Sequence, residues 1–475
     1  MLTIASPFSL VIFGASGHLA KLKLYPELYV LALKKRLPKN YAIVGFSRTV
    51  MKEQEFRELV RAAIQEGMEN AAKPDVVEEL LTHVHYQPGK YDGAPDYDAL
   101  EVLLANLENG WGPRVRLAYL SVPPTVFTDV ITNICKAGIN TYPDCSGFRC
   151  IIEKPVGHDL KSFEEIRTAL TSCFREEEIY LLDHYLGKEA VRNVYYLRFA
   201  NPMLERLFKN TLIRQVEIVA AETAGLEGRA GYFEQTGTLR DMVQSHLLLT
   251  ASLLTMRLTV GEGNLRDLRK NALEQLYLPY AGSLDELILQ GQYENYKKEQ
   301  GVAADSRTNT FIAMKLLSRT SRWEGVPFYL KTGKRLGPGK ETRISIQFQV
   351  PHMVGKGSSP NRLDIILQGE AGMRMHLQTK MGGSEPTFRQ LLLSDPLVCI
   401  GDCLPEHGLL LLEAIHGKRD WFLTFDEIRT AWRLIDPLQS HLDTKRTPLY
   451  TYNAGSNGPI EAEAWLAKDG LQWMT

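Results

Sequence analysis

Hydrophobic positions change their period along this chain, and the change divides it. Near the start, short apolar runs alternate with amphipathic stretches. Phe8–Phe13 is an apolar run that stops at Gly14, and a helical pattern follows through Leu19, Leu22, Leu24 and Leu28 to Leu33. Residues 41–46 form a second run, after which Glu53 to Ile64 sets Phe56, Val60 and Ile64 on one helical stripe. A run over 115–122 precedes Pro123-Pro124 and a helix through Val126, Val130 and Ile134. Another, over 148–152, precedes a helix over 161–170, and residues 178–182 are again largely apolar. Strands alternating with helices predict a parallel sheet built from βαβ units.

After Lys188 the texture differs. A helix over 188–198 leads to a strand over 215–219 and a long helix from about Leu239 to Met256. Strand-like segments then follow at 328–330, 343–348, 363–367 and 373–377, separated by gaps short enough for antiparallel pairing. Ile344, Ile346 and Phe348 alternate with Arg343, Ser345 and Gln347, which predicts one solvated or helix-free face. Two late helices, about 406–415 and 425–442, are expected to pack on that sheet. Gly355 to Ser359 has loop composition. The fold class predicted is a Rossmann-type α/β domain with a doubly wound parallel sheet (1–185), followed by an α+β domain with a large, mainly antiparallel sheet (186–475).

Composition narrows the function. Of 475 residues, 44% are hydrophobic and 23% charged, ordinary for a globular protein with a full core. A formal net charge of -1 argues against bulk electrostatic binding of nucleic acid or anionic membrane. No run reaches the ~20 apolar residues of a membrane span, and the N-terminus lacks the basic segment of a signal peptide. Cys135, Cys145, Cys150, Cys173, Cys399 and Cys403 form no Cys-x-x-Cys pair, so no metal site is expected. Cys145 and Cys150 are close enough for a small loop disulfide, but reduced thiols of a cytosolic protein are the expectation.

Candidate chemistry sits at strand ends. Asp183-His184-Tyr185-Leu186-Gly187-Lys188 follows the apolar run 178–182, where a strand gives way to a helix. Ligands of open α/β sheets bind at the carboxyl ends of strands, and helix N-termini favour anions. His184 and Lys188 therefore read as an anion grip and Asp183 as an orienting carboxylate; the alternative is a solvated turn with an Asp cap. Gly14-Ala15-Ser16-Gly17-His18-Leu19-Ala20 fits a G-x-x-G-x-x-A dinucleotide loop. Gly14 makes the turn, Gly17 admits a pyrophosphate and Ser16 can donate to phosphate. The second strand ends in Phe46-Ser47-Arg48-Thr49, where an NAD-binding fold usually has an acid. Arg48 instead suits the 2′-phosphate of NADP, with use of NAD left open. His246 lies on the stripe Leu239, Met242, Val243, His246, Leu249, whose apolar character by itself favours a satisfied core histidine over a catalytic one.

In order along the chain, these residues resemble the glucose-6-phosphate dehydrogenase family. The match includes Gly14 to Lys23, Glu153-Lys154-Pro155-Val156-Gly157, Asp183 to Glu189, Glu227-Gly228-Arg229 and Gly231-Tyr232-Phe233. It continues through Arg240-Asp241-Met242-Val243-Gln244 with His246, and Val326 to Arg335. The resemblance implies oxidation of glucose 6-phosphate at C1 to the lactone, with hydride passing to NADP, at the entry to the pentose phosphate pathway. It makes His246 the general base and Asp183 its carboxylate partner. His184, Tyr185 and Lys188 would hold the phosphate, and Lys154 would bridge sugar and cofactor. Glu222 and Glu234 would bind sugar hydroxyls, and Lys334 would add charge. Gly14, Ser16, Gly17, Leu19, Arg48 and Lys154 would hold the cofactor. A cytoplasmic homodimer or homotetramer is implied, with the antiparallel sheet as its surface and no nucleic-acid or membrane partner.

Four positions depart from the family's pattern: His18 and Leu181 where Asp and Arg are common, Glu234 for an expected Asp, and Gly339 for a basic residue, with Lys340 beside it. They leave base, carboxylate and phosphate grip intact. They keep open a dehydrogenase of another hexose or amino-sugar 6-phosphate, and a catalytically silent sugar-phosphate and NADP-binding paralogue.

Overall fold

The computed structural model describes residues 4, 6–226, 228, 230–258, 264–279, 282–350, 357–399, 401–444 and 446–474. Glu227 and Arg229 of the family motif, and Gly355 and Lys356 of the expected loop, lie outside them. The chain forms two compact units, Met1–Gly187 with Gly401–Phe425, and Lys188–Ile400 with Asp426–Thr475.

The first unit carries β1 (Phe8–Phe13), α1 (Tyr25–Leu33), β2 (Tyr41–Ser47), α2 (Glu53–Gly67), α3 (Pro74–Thr82), β3 (Val84–Pro88) and α4 (Ala94–Leu107). β4 (Arg114–Leu120), α5 (Phe127–Lys136), β5 (Cys145–Glu153), α6 (Leu160–Cys173) and β6 (Ile179–Leu182) follow. The strands lie in the order β3-β2-β1-β4-β5-β6, all parallel. This is the doubly wound arrangement, whose switch point falls between β1 and β4. β1, β2 and β4 are buried along their whole length, as continuous apolar strands covered on both faces must be. β3 escaped the sequence reading because Val84–Pro88 mixes His, Gln and Pro with its apolar residues.

Cys135 and Cys173, near the ends of the paired helices α5 and α6, sit as a disulfide with Cα atoms 6.0 Å apart. Reduced thiols, or a Cys145–Cys150 bridge, were the expectation; those two are free, one exposed and one buried. Helix packing brings together cysteines that sequence spacing keeps apart.

The second unit holds α7 (Glu189–Ala200), α8 (Pro202–Leu207), β7 (Ile213–Ala221), α9 (Ala230–Thr238), α10 (Leu248–Thr255) and α11 (Leu265–Gln275). Its later strands are β8 (Leu276–Tyr277), β9 (Ile288–Tyr293), β10 (Phe311–Ser318), β11 (Phe328–Gly333), β12 (Glu341–Phe348), β13 (Arg362–Gln368), β14 (Gly372–Lys380) and β15 (Phe388–Pro396). The chain then forms α12 (Glu406–His416), α13 (Phe425–Asp443), β16 (Leu449–Tyr452) and α14 (Glu461–Ala467). The large sheet runs β15-β14-β13-β12-β7-β11-β10-β9-β16, with β8 on β10. It is mainly antiparallel, with parallel pairs at β7–β11 and β9–β16. The apolar positions Val216, Ile218, Leu330, Ile344, Ile346, Leu363 and Ile365 are all buried, and α7 packs on β13.

Three expectations are corrected. The polar face of the sheet is not solvated at its centre. Ser345 is fully buried, the Met474 N–H donates to Glu217 Oε1 at 2.9 Å, and Lys331 Nζ lies 4.4 Å from the Trp473 ring centre. The C-terminal segment covers a layer of charges. Second, Glu406–His416 packs not on the large sheet but in the first unit, against α1 and the turn at 184–187. Third, the helix expected over 239–256 is wound as a π-helix over Leu239–Leu247 and becomes an α-helix only at Leu248.

Candidate functional site

The cofactor loop is shaped by close packing at the centre of the parallel sheet. Gly14 takes a φ of 87°. A Cβ there would run into the Ser121 carbonyl beyond β4, and one on Gly17 would come within 2.9 Å of the Gly14 carbonyl. The Gly14 N–H donates to Phe46 O at 2.9 Å and the Gly17 N–H to Gly14 O at 2.8 Å. Tyr25 OH pins the loop by donating to Ala15 O at 2.6 Å. The bare backbone at the start of a helix, with Leu19 half-buried behind it, fits a dinucleotide pyrophosphate. Ser16 Oγ lies 3.0 Å from Ser47 Oγ and 3.2 Å from Thr49 Oγ1. Arg48 is exposed beside them, its guanidinium 5.4 Å from the centre of the Tyr91 ring. Ser47 is buried, with its Oγ 2.8 Å from Tyr86 OH, so Ser16, Arg48 and Thr49 are the groups open to solvent at this strand end.

Beyond β6, Asp183 is fully buried and its Oδ1 accepts the Tyr185 N–H at 2.9 Å. A 3-10 turn, His184–Gly187, follows, and Lys188 takes the N-cap of α7. Asp183 thus makes the local cap bond of the plainer alternative, but it is not solvated. Tyr185 is buried and His184 half-buried, with their rings edge to face at 5.3 Å. Lys154, half-buried, follows the end of β5.

In the second unit, Lys188 Nζ donates to Gln368 Oε1 on β13 at 3.2 Å. Glu222 and Lys334 follow β7 and β11, which are parallel neighbours, so both emerge at the same sheet edge. Lys334 Nζ lies 2.8 Å from Glu222 Oε2 and 4.0 Å from Asp241 Oδ2, and is itself buried. His246 is 2% exposed on the π-helical stretch, which packs against β7 and β11.

Glu234 does not join this group. Its Oε1 accepts from Tyr296 OH at 2.5 Å and Ser306 Oγ at 2.8 Å. Burial, then the Glu234 carboxylate, pushes the Tyr296 phenol up. Asp241 and Gln368, not singled out in the sequence, stand beside Lys334 and Lys188. The signal for Asp241 was its place next to Arg240 in the motif; for Gln368 there was none.

Residues 11–193 match the family described as "Glucose-6-phosphate dehydrogenase, NAD binding domain", and residues 195–474 the one described as "Glucose-6-phosphate dehydrogenase, C-terminal domain". The chain is 33% identical to glucose-6-phosphate 1-dehydrogenase of Bacillus subtilis, across 98% of this chain and 97% of that one. It is 35% identical to the cytoplasmic isoform of Solanum tuberosum, across 97% and 91%. A solved glucose-6-phosphate dehydrogenase in complex with its substrate glucose-6-phosphate superposes with a TM-score of 0.89 at 31% identity, with 100% of both chains covered.

Proposed function

The chain belongs to the glucose-6-phosphate dehydrogenase family, and from that premise we propose how its residues divide the work. It is an oxidoreductase acting on CH–OH with a nicotinamide cofactor, and it oxidises glucose 6-phosphate at C1 to 6-phosphogluconolactone. The observation that carries the assignment is the turn at the end of β6, where Asp183, His184, Tyr185 and Lys188 follow one another at the carboxyl edge of a parallel sheet. His184, Tyr185 and Lys188 hold the substrate phosphate, and Lys154 bridges sugar and cofactor. Glu222 and Asp241, set by Lys334, read the sugar hydroxyls; Glu234 supports the helix behind them. His246 removes the C1 hydroxyl proton, and Asp183 supports the resulting imidazolium. A nicotinamide held there would supply the hydride acceptor.

The preferred cofactor is NADP, held by Gly14, Ser16, Gly17, Leu19 and Arg48. Arg48 and Thr49, exposed beside Ser16 with no acid in Phe46-Ser47-Arg48-Thr49, support this reading over NAD, since a guanidinium and hydroxyls suit a phosphate better than a neutral ribose hydroxyl. The exposed Leu391, Leu392 and Leu393 on the edge strand β15 support a homodimer or homotetramer, and the cytoplasmic relative supports the cytoplasm. Among the described residues, no helix is long and apolar enough to cross a membrane.

The test is dinucleotide reduction by the purified protein with a panel of sugar 6-phosphates and free glucose. Glucose 6-phosphate with NADP is expected to be fastest. Preference for another sugar phosphate would overturn the substrate. Arg48→Ala should raise KM for NADP about tenfold or more and leave that for NAD nearly unchanged, since one charge-assisted phosphate contact is worth ~1.5–3 kcal/mol.

A further inference from the structure

α12 brings a histidine into the first unit that the assignments above leave without a role. His407 is 6% exposed, in the first turn of that helix. Its Nε2 lies 3.3 Å from Glu153 Oε1, and its Nδ1 lies 3.5 Å from Glu27 Oε1 on α1. The Gly408 N–H, one residue on, donates to Glu27 Oε2, and Tyr119 OH on β4 donates to Glu153. The His407 ring stacks parallel to that of His184, centroids 6.1 Å apart and planes within 4°. Gly187 lets the two segments meet, because a Cβ on it would strike the Glu406 backbone. Burial alone would push the His407 imidazole down; the Glu153 and Glu27 carboxylates reverse that and bring it up to about 10. Among the described residues, the elements packed on α12, and β4 beside them, also carry Tyr25, Tyr29, Tyr119, His184 and Tyr185, while Lys21 and Lys23 on the adjoining turn are exposed.

We propose that His407, clamped between Glu27 and Glu153 and stacked on His184, is a positioning residue that holds His184 and Lys154 in place for the phosphorylated substrate. It fixes Lys154 through the carboxylate one residue earlier, and it backs His184 with a cation. The inference rests on the proposed phosphate-holding role of His184. Removing the cation leaves the Glu27 and Glu153 carboxylates without the imidazole they share, which places uncompensated negative charge behind the phosphate grip.

The experiment measures KM and kcat for glucose 6-phosphate from pH 6.5 to 8.5 in the parent, His407→Gln and the double variant Glu27→Gln/His407→Gln. In His407→Gln, KM should rise about tenfold over the parent, with kcat within about twofold. The double variant, with one of the two carboxylates neutralised, should have a KM between those of His407→Gln and the parent; it also keeps the test open if the single variant folds poorly. A KM within about twofold of the parent in both variants at every pH overturns the proposal, as does a loss of kcat and Tm with no change in KM. His184→Ala, assayed against glucose 6-phosphate and free glucose, separates the two readings. If it leaves KM for glucose 6-phosphate unchanged, the phosphate role of His184 fails and this inference with it; if KM rises only there, the His407 result stands alone.

Discussion

At the scale of single residues, Glu234 and Asp241 show what a sequence can and cannot disclose. Both are acids near His246, and neither composition nor spacing says which carboxylate is already committed. Glu234 is bonded to Tyr296 and Ser306, while Asp241 lies near Lys334. Glu234→Asp should therefore leave the preference among sugar 6-phosphates unchanged, whereas Asp241→Asn should raise KM for glucose 6-phosphate several-fold; steady-state kinetics on the sugar panel decides. His246 was ambiguous for the opposite reason, since its neighbours on the stripe are apolar. His246→Asn should lower kcat by about 10²–10⁴ while glucose 6-phosphate still binds, as measured by calorimetry. Retained turnover would remove it as the base. The turn Asp183–Lys188 was legible because an acid, an imidazole, a phenol and an ammonium follow an apolar strand. Gln368 was not legible, because only pairing of distant strands brings it to Lys188.

Elements were legible where their period was clear and their neighbours were close in sequence. The βαβ units could be read from runs ending in Gly or Pro, and β12 from its alternation. α12 could not be placed, because Leu409 to Leu412 and Ala414-Ile415 make it apolar on more than one face, so no stripe says which partner it covers. The π-helical stretch over Leu239–Leu247 was also invisible, since its residues suit an ordinary helix. Gly237, at a φ of 63°, breaks the helix just before it, and such widened turns recur at functional sites. The junction of α12 with the 184–187 turn yields an element-scale prediction. In Gly187→Ala the new methyl meets the Glu406 backbone, so thermal stability should fall by about 1–3 kcal/mol. KM for the sugar phosphate should rise with it, because the displaced turn carries His184. A Tm equal to the parent's would show that the junction yields freely.

For the molecule as a whole, the charged layer under the C-terminal segment ties stability to pH. Burial pushes the Glu217 carboxyl up and the Lys331 ammonium down. A carboxyl with a raised folded value gives stability that is present in acid and lost as pH climbs through that value. Glu217→Gln should flatten the fall in Tm on the alkaline side of the ordinary carboxylate range, which calorimetry across pH would reveal; an unchanged slope would assign the fall to other groups. The division of the chain into units has a further consequence, for synthesis on the ribosome. The nucleotide-binding unit is complete only when residues 401–425 arrive, although its first 187 residues emerge early. About 200 residues intervene, which at ~5–20 residues per second is a wait of roughly 10–40 s. During it, Glu27 and Glu153 lack their histidine, and α1 and the 184–187 turn lack their covering helix, so the nascent chain carries a bare apolar face that its distant end must cover.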